Sequence, residues 1–591
     1  MKNHLQDLLR SALEKTLADA GASLAAPVIQ VDATRDSKLG DFASNLAMML
    51  AKPLGKPPRV VAEALVKNLP PSPRVTKVEI AGPGFINFYL AADSFQAVVP
   101  GILSAGEKFG RDDSGAKGKI LVEFVSANPT GPMHVGHGRG AAYGDALSNI
   151  LAAAGWQVLR EYYINDAGRQ VDVLVVSVWL RYLELCGETV AFPSRGYPAD
   201  YIRVTAEKLK AVQGTKLRRA ASEVSAGLTP DAAIPENVGE AQKEAIKTQQ
   251  EAHLDALIAR AKSLLGVDYA AVQTLALQDQ LADIRATLDA FGVRFDLWYS
   301  EKTLVESGAA AHALEKLKAS GHVYEKDGAL WLATEKLGDE KDRVLIKADG
   351  SATYLANDLA YHVDKLSRAP KLLDVWGADH HGYIARMRAA IEAQTGRKDA
   401  LSVQLIQFVT LSSGRMGKRS GNFVTLKELI AETGRDAVRF FFLMRSHDQH
   451  LEFDIELARS QTNENPVYYV QYACARIASV FRQATERNLA YDEKLGLAEL
   501  ARLSEPQEKH LLTALGRYAE TLRIAAAQYT PHTLVFYLRD VADALHGYYH
   551  AQAFLVDDAA LRSARLALVK ATGVVLKNGL GLLGVSAPDR M

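Results

Sequence analysis

The sequence predicts a multidomain α/β protein in which a parallel-sheet unit, split by a largely helical insertion, stands between a small N-terminal α+β domain and a C-terminal all-α helix bundle. Three observations predict it. The chain has 591 residues, too many for one ordinary domain. Between about residues 118 and 447, short runs rich in β-branched residues alternate with helical periodicity, the pattern of strands joined by crossovers. From about 448 to 591, and within the insertion around 171–290, the apolar spacing is that of amphipathic helices alone.

Residues 1 to about 110 form the first unit. Leu5, Leu8, Leu9, Ala12, Leu13 and Leu17 fall on one helical face that Gly21 ends, and residues 41–52 read as a second helix. Residues 75–80 and 85–90 read as strands around the turn Ala81-Gly82-Pro83-Gly84. The polar, glycine-bearing residues 106–118 mark a linker.

The next stretch, 119–155, carries the most chemistry: KILVEFVSANPTGPMHVGHGRGAAYGDALSNILAAAG. Residues 119–125 read as a buried strand and 140–154 as a helix ended by Gly155. Asn128, Pro129, Gly131 and Pro132 can neither extend the strand nor start the helix early, so they form a loop that brings His134, Val135, Gly136 and His137 to the helix N-terminus. Unpaired N–H groups and the helix dipole favour an anion there by roughly 0.3–1 kcal/mol. Two imidazoles add donors, and Gly136, Gly138 and Gly140 let a polyphosphate approach the backbone. Such a group suits phosphoryl chemistry governed by positioning and charge stabilisation. A dinucleotide-binding oxidoreductase is the competing reading, since Gly136, Gly138 and Ala141 fit G-x-G-x-x-A with Glu161 about twenty residues on. That fingerprint wants its glycines directly after the strand, whereas here a proline loop intervenes.

Residues 158–163 read as a second strand and Asn165-Asp166-Ala167-Gly168 as a turn. The helical insertion follows, interrupted at 192–198, and strand patterns resume at Asp296, 329–332, 344–347 and 372–376. The string VWGADHHGYIARM places Asp379, His380 and His381 at the carboxyl end of the last of these, where ligands bind in open α/β sheets, with no third spaced ligand to complete a metal set. Residues 412–422, SSGRMGKRSGN, gather Arg415, Lys418 and Arg419 between glycines in a cationic loop suited to closing over phosphates. In the C-terminal part Asn465-Pro466 opens a helix through VYYVQYACARIASVFRQ, and 507–528, 533–549 and 559–580 read as further helices. Arg476, Arg482, Arg517, Arg523 and Arg539 accompany Tyr468, Tyr469 and Tyr472, a mixture that can grip phosphates and stack bases.

Composition narrows the partners. Lys plus Arg equals Asp plus Glu, 69 each, so any nucleic-acid surface must be a local patch. The two cysteines, Cys186 and Cys474, have no metal-ligand spacing, which predicts a reducing compartment and no zinc. No apolar run approaches a membrane span and no signal-peptide core precedes the first helix, so a cytoplasmic protein is expected.

HVGH resembles the HIGH signature of class I aminoacyl-tRNA synthetases, and EFVSANPTGPMHVGHGRGAAYGDAL is similar to the arginyl-tRNA synthetases in particular. GDFASNLAMMLAK, AGPGFINFYL, NPVYYVQYACARI and GLLGVSAPDRM extend the resemblance over nearly the whole chain. It implies a class I Rossmann-like catalytic domain, an N-terminal domain that contacts the outer corner of tRNA, and an anticodon-binding bundle. Arg415-Met416-Gly417-Lys418-Arg419 aligns with KMSKS, with Arg415, Gly417 and Arg419 departing from it, so Lys418 is the expected functional cation.

By the same resemblance His134, His137 and Lys418 are catalytic, and Gly136, Gly138, Arg415, Met416, Gly417, Arg419, Asp379 and His380 bind ATP. Arginine is a planar, permanently charged donor that needs carboxylates. Glu301, Asp358 and Tyr354, one helical turn before it, match positions that hold its side chain, with Asn128, Glu123 and His134 completing the arginine set. Tyr468, Tyr472 and Arg476 are expected to contact tRNA. The implied activity is ATP-dependent activation of L-arginine, with magnesium, and its transfer to the terminal adenosine of tRNA(Arg), the first step requiring the tRNA. A monomer is expected. A noncatalytic RNA-binding relative would keep the bundle but lose the phosphate loops, whereas His134, His137 and Lys418 are all present.

Overall fold

The computed structural model describes residues 1–591 except 23, 25, 26, 35, 36, 92, 113, 114, 236, 307 and 413–423, and only the backbone of 3, 33, 37, 93, 305, 309, 310 and 312. At the N-terminus the helix Lys2–Asp19 buries Leu5, Leu9, Ala12 and Leu13 and packs against the helix Pro58–Lys67, which lies on an antiparallel sheet, and Gly21, at φ 59°, follows it. The sheet runs Asp32–Ala33, Phe42–Ser44, Phe85–Leu90, Val75–Ala81 in space. Residues 41–52, expected to be wholly helical, divide into the strand Phe42–Ser44 and the helix Leu46–Leu54. Pairing of Phe42 with Phe88, and the Ser44 hydroxyl donating to Gln30 O at 2.6 Å, outweigh local helix preference there.

The central sheet has five parallel strands: β1 (Lys119–Glu123), β2 (Gln157–Ile164), β3 (Leu297–Ser300), β4 (Lys371–Gly377) and β5 (Leu401–Ile406). Their spatial order is β5-β4-β1-β2-β3. The chain builds outward from β1 on one side and then returns to lay β4 along its other edge, pairing Glu123 with Asp374. Strand order therefore reverses between β1 and β4, the place where open parallel sheets bind ligands beyond their carboxyl ends. Helix α1 (Val135–Ala153) connects β1 to β2. It lies close on the sheet because Gly144 faces the ring of Phe124, where any Cβ would come within 2.2 Å.

The expectation that residues 329–332 and 344–347 continue the parallel alternation is corrected. Val323–Lys326, Ala329–Leu332 and Arg343–Ile346 form a separate antiparallel sheet. Parallel neighbours need a crossover of a dozen or more residues, and the link between the first two strands is Asp327-Gly328, both at positive φ, the geometry of a tight hairpin.

Four long helices, Arg169–Leu185, Asp200–Gln213, Glu240–Leu265 and Tyr269–Ala290, make the insertion around a core that includes Leu174, Trp179, Leu183, Ile202 and Leu254. Helix α2 (Tyr354–Arg368) then precedes β4. A short parallel pair, Val409–Leu411 with Leu451–Phe453, lies beyond β5. The C-terminal bundle includes α3 (Pro466–Glu486), α4 (Pro531–Ala551) and α5 (Ala559–Leu582). The expected helix 507–528 is two, Pro506–Leu515 and Tyr518–Gln528, parted at Gly516-Arg517. Among the described residues no helix is long and apolar enough to cross a membrane.

Candidate active site

Two adjoining cavities open beyond β1 and β4. The outer, about 390 Å³, is lined by Asn128, His134, Gly136, His137, Gly140 and Asp379 among others. The inner, about 250 Å³, is lined by Glu123, Tyr163, Asp358, Tyr361 and Tyr383. Val125, Ser126, Trp376, Gly377 and His380 belong to both.

His134 is the N-cap of α1, and its Nδ1 accepts from the backbone N–H groups of Gly136 (3.1 Å) and His137 (3.4 Å). The N–H of His134 donates in turn to Nδ1 of His137 at 3.3 Å. An imidazole nitrogen that accepts carries no proton, so each neutral ring holds its proton on Nε2. The rings stack with centroids 3.6 Å apart. Burial lowers the pKa of His134, and burial with the neighbouring His134 takes that of His137 to about 3. At neutral pH the pair is therefore two uncharged N–H donors beside a helix N-terminus. Gly136 and Gly140 line the cavity. Gly138 does not: it is buried where a Cβ would meet Leu426 at 2.5 Å and Phe442 at 3.1 Å, so its missing side chain serves packing.

Arg415, Met416, Gly417, Lys418 and Arg419 lie outside the described residues. The chain on either side of them is anchored near the outer cavity. Ser412 N–H donates to Phe453 O at 3.1 Å, and after residue 423 the Val135 N–H donates to Val424 O and the Leu426 N–H to Met133 O, at 3.3 and 2.8 Å.

The inner cavity is acidic. Asp358 is raised by burial, against which the hydroxyl of Tyr383 works, donating to its Oδ2 at 2.5 Å. Glu301 is also raised by burial and hydrogen-bonds with Tyr163, one wall of the cavity; the Asn165 amide, turned with its nitrogen toward Glu301, lies 2.8 Å away. Glu123 accepts from Ser126 Oγ at 2.8 Å, and Tyr361 Oη lies 3.0 Å from its other oxygen. Of the two acids expected to hold a guanidinium, Asp358 lines the cavity and Glu301 stands behind Tyr163; Glu123, expected in the arginine set beside Asn128, lines the cavity as well. Tyr354 shares α2 with Asp358 but is 90% exposed and lines neither cavity.

Beneath the inner cavity runs a buried polar layer that sequence reasoning missed. Lys365 Nζ lies 2.8 Å from Asp374 and pairs with Glu123, and His362 Nε2 is 2.8 Å from Asp374. Burial opposes the charge of Asp374, but Lys365 and His362 outweigh it and its pKa falls to about 2. Tyr361 donates to Glu161 at 2.6 Å, and Arg368 pairs with the same carboxylate. Asp358, Tyr361, His362 and Lys365 are spaced three and four apart, so a polar stripe facing the sheet was present in the sequence of α2.

On the bundle, the rings of Tyr468 and Tyr472 stack at 5.9 Å along α3, and the Arg476 guanidinium lies 4.5 Å from the Tyr472 ring and 4.6 Å from that of Tyr549. Arg476 also reaches His546 Nδ1 at 3.0 Å. The bundle is bonded directly to α1: Tyr143 Oη donates to Tyr529 O at 2.8 Å, and buried Arg439 joins Asp145 at 2.5 Å to Leu583 O at 2.9 Å.

Three family models match the chain: "Arginyl tRNA synthetase N terminal domain" over residues 3–90, "tRNA synthetases class I (R), catalytic domain" over 98–185 and 260–457, and "DALR anticodon binding domain" over 470–591. The gap in the second falls within the helical insertion. The arginine–tRNA ligases of Hydrogenovibrio crunogenus and Halorhodospira halophila are 48% and 50% identical, each over all of both chains. Among solved structures, the arginyl-tRNA synthetase of Thermus thermophilus superposes with a TM-score of 0.73 at 25% identity over all of both chains. A Campylobacter jejuni structure described as a putative arginyl-tRNA synthetase gives 0.71 at 30% identity, covering 85% of this chain and all of its own.

Proposed function

The chain belongs to the arginyl-tRNA synthetase family, and from that premise we propose how its two cavities divide the reaction. It is an arginine–tRNA ligase, which activates arginine with ATP and charges tRNA with it. The observation that carries the division is the common wall, Val125-Ser126 and Trp376-Gly377, between a cavity headed by a helix N-terminus and one floored by carboxylates.

In this reading ATP occupies the outer cavity and the arginine side chain the inner one. Asp358 and Glu123, with Glu301 behind them, face the guanidinium, while Asn128 engages the amino acid's backbone groups. The arginine carboxylate attacks the α-phosphorus in line, the bond to pyrophosphate breaks, and arginyl-adenylate forms. Nε2–H groups of His134 and His137 meet the charge that moves to the leaving oxygens, and Gly136, Asp379 and His380 shape the nucleotide's place. Arg415 and Lys418 add positive charge. A ribose hydroxyl of the tRNA's terminal adenosine, by family resemblance the 2′-hydroxyl, then attacks the adenylate carbonyl and AMP leaves.

A magnesium ion carried in on the phosphates of ATP belongs to the reading. Such an ion would help neutralise the departing pyrophosphate. Tyr468, Tyr472 and Arg476, a stacked and cationic surface, are assigned to tRNA bases. Action as a monomer in the cytoplasm completes the reading, and the free thiols of Cys186 and Cys474 suit a reducing compartment.

The deciding experiment is arginine-dependent ATP–pyrophosphate exchange with and without tRNA(Arg), beside Lys418→Ala. Exchange that needs both arginine and tRNA and collapses in the variant is the expected result. Exchange without tRNA would remove the tRNA requirement, and none under any condition would sink the catalytic assignment.

A further inference from the structure

Lys365 lines neither cavity and is fully buried, yet it carries a charge. Burial alone would strip its proton, but Asp374 and Glu123 overcome that and hold it protonated. Its Nζ also lies 4.5 Å from the Tyr361 ring centroid. A buried ammonium contributes little net stability compared with a well-packed apolar side chain, so its place under a substrate cavity calls for another account.

Glu123 supplies it. Its Oε2 is held by Lys365 and its Oε1 by Ser126 Oγ. Ser126 Oγ also accepts the Tyr163 N–H at 3.1 Å. These bonds fasten a strained corner, for Val125 and Ser126 have φ of 70° and 40°, values that L residues adopt at a cost of about 1–3 kcal/mol each unless the surroundings enforce them. Both residues form the wall common to the two cavities.

We propose that Lys365 is a positioning residue for arginine: it fixes Glu123 as an aimed acceptor on the arginine side of the wall that Val125 and Ser126 form. The inference rests on reading the inner cavity as the arginine site. Its electrostatic logic follows from what else faces Glu123. From β4 comes Asp374, from α2 Asp358 and His362, and from β2 Glu161, whose own cation is Arg368. Lys365 is the ammonium that reaches Glu123 directly, so without it three neighbouring acids would press on that carboxylate.

Steady-state kinetics of the full chain test this with Lys365→Met, Lys365→Arg and the double variant Lys365→Met/Asp374→Asn, which also removes the carboxylate left unpaired. The expected result is an arginine KM raised about tenfold or more in Lys365→Met with the ATP KM within about twofold, and recovery in Lys365→Arg to within about threefold of wild type. The double variant, which keeps the test open if the single one fails to fold, should retain the raised arginine KM. An arginine KM within about twofold of wild type in either methionine variant, or arginine and ATP KM rising together, would overturn the inference. A wild-type protein that does not depend on arginine would instead overturn the reading it rests on.

Discussion

The hydroxyl of Tyr383 donates to Asp358 at 2.5 Å inside the inner cavity, so the carboxylate that we assign to the guanidinium is aimed by a phenol rather than paired with a cation. Glu123, Glu161 and Asp374 each have a lysine or arginine partner. Asp358 and Glu301 have tyrosines instead. Replacing Asp358 with Asn should therefore raise the arginine KM by about two orders of magnitude, since losing one partner of a buried charged pair costs about 2–5 kcal/mol. Tyr383→Phe, which leaves the charge but not its aim, should cost about tenfold, near the worth of one hydrogen bond to a charged group. Aminoacylation kinetics over a range of arginine concentrations decide it, and an unchanged KM in Asp358→Asn would place the guanidinium elsewhere.

The same pair sets a pH dependence. Burial raises both Asp358 and Glu301, so in the free protein they take up protons at a higher pH than ordinary carboxyls, and bound arginine must expel those protons. Arginine affinity should be greatest at alkaline pH and weaken as pH falls through the raised values. His134 and His137 should add no step of their own above pH 6.5, because burial lowers both below the ordinary imidazole value. A profile of kcat/KM for arginine against pH, with ATP saturating, reads this directly; a step above 6.5 would mean that a histidine titrates there after all.

His134 joins two tasks that a substitution can separate. Asn is as good an N-cap as any residue, so His134→Asn should keep α1 and the melting temperature while removing the Nε2–H donor. A fall of about 100- to 1,000-fold in kcat for adenylate formation is expected, the usual cost of one transition-state donor. If kcat survives with melting unchanged, His134 is a cap and nothing more.

How far the site could be read before the fold was known follows from where its information lies. HVGH, its preceding proline loop and the strand before them are contiguous, and the N-cap geometry of His134 follows from local backbone rules. The Asp327-Gly328 hairpin was equally local, and attention to that dipeptide would have kept 329–332 and 344–347 out of the parallel sheet. Lys365, Asp374 and Glu123 are different. They meet only because β4 returns beside β1 across some 250 residues of chain, and no local pattern announces that return. Tyr354 shows the converse, for helical spacing linked it to Asp358, but its position at the first turn of α2 leaves it in solvent.

The junction between α1 and the bundle makes a stability prediction. Arg439 is fully buried, joining Asp145 of α1 to Leu583 O, and Phe291 O accepts from it at 3.1 Å. Arg439→Met should destabilise by about 3–5 kcal/mol, because it strands a carboxylate and two carbonyls. Gly584→Ala should act similarly: its φ is 69° and a Cβ would sit 2.2 Å from the guanidinium. Thermal melting checks both, and a melting point unmoved in either would mean that the junction is looser than its hydrogen bonds indicate.

Two glycines two residues apart on α1 have different surroundings. Gly138 and Gly140 both sit in the first turns of α1, and both fit a phosphate-cradling pattern. In the fold they part company. A methyl on Gly138 would meet the Leu426 side chain at 2.5 Å, in a core where overpacking typically costs about 1–3 kcal/mol. A methyl on Gly140 would meet no atom within 4 Å, and the open space it enters is the outer cavity. Helix propensity even favours alanine over glycine there by about 1 kcal/mol. Gly138→Ala should therefore lower the melting temperature with a nearly unchanged ATP KM, whereas Gly140→Ala should leave melting unchanged or raised and increase the ATP KM several-fold. Measuring both quantities on both variants separates the roles, and the opposite pairing of effects would put the nucleotide against Gly138 and out of the outer cavity.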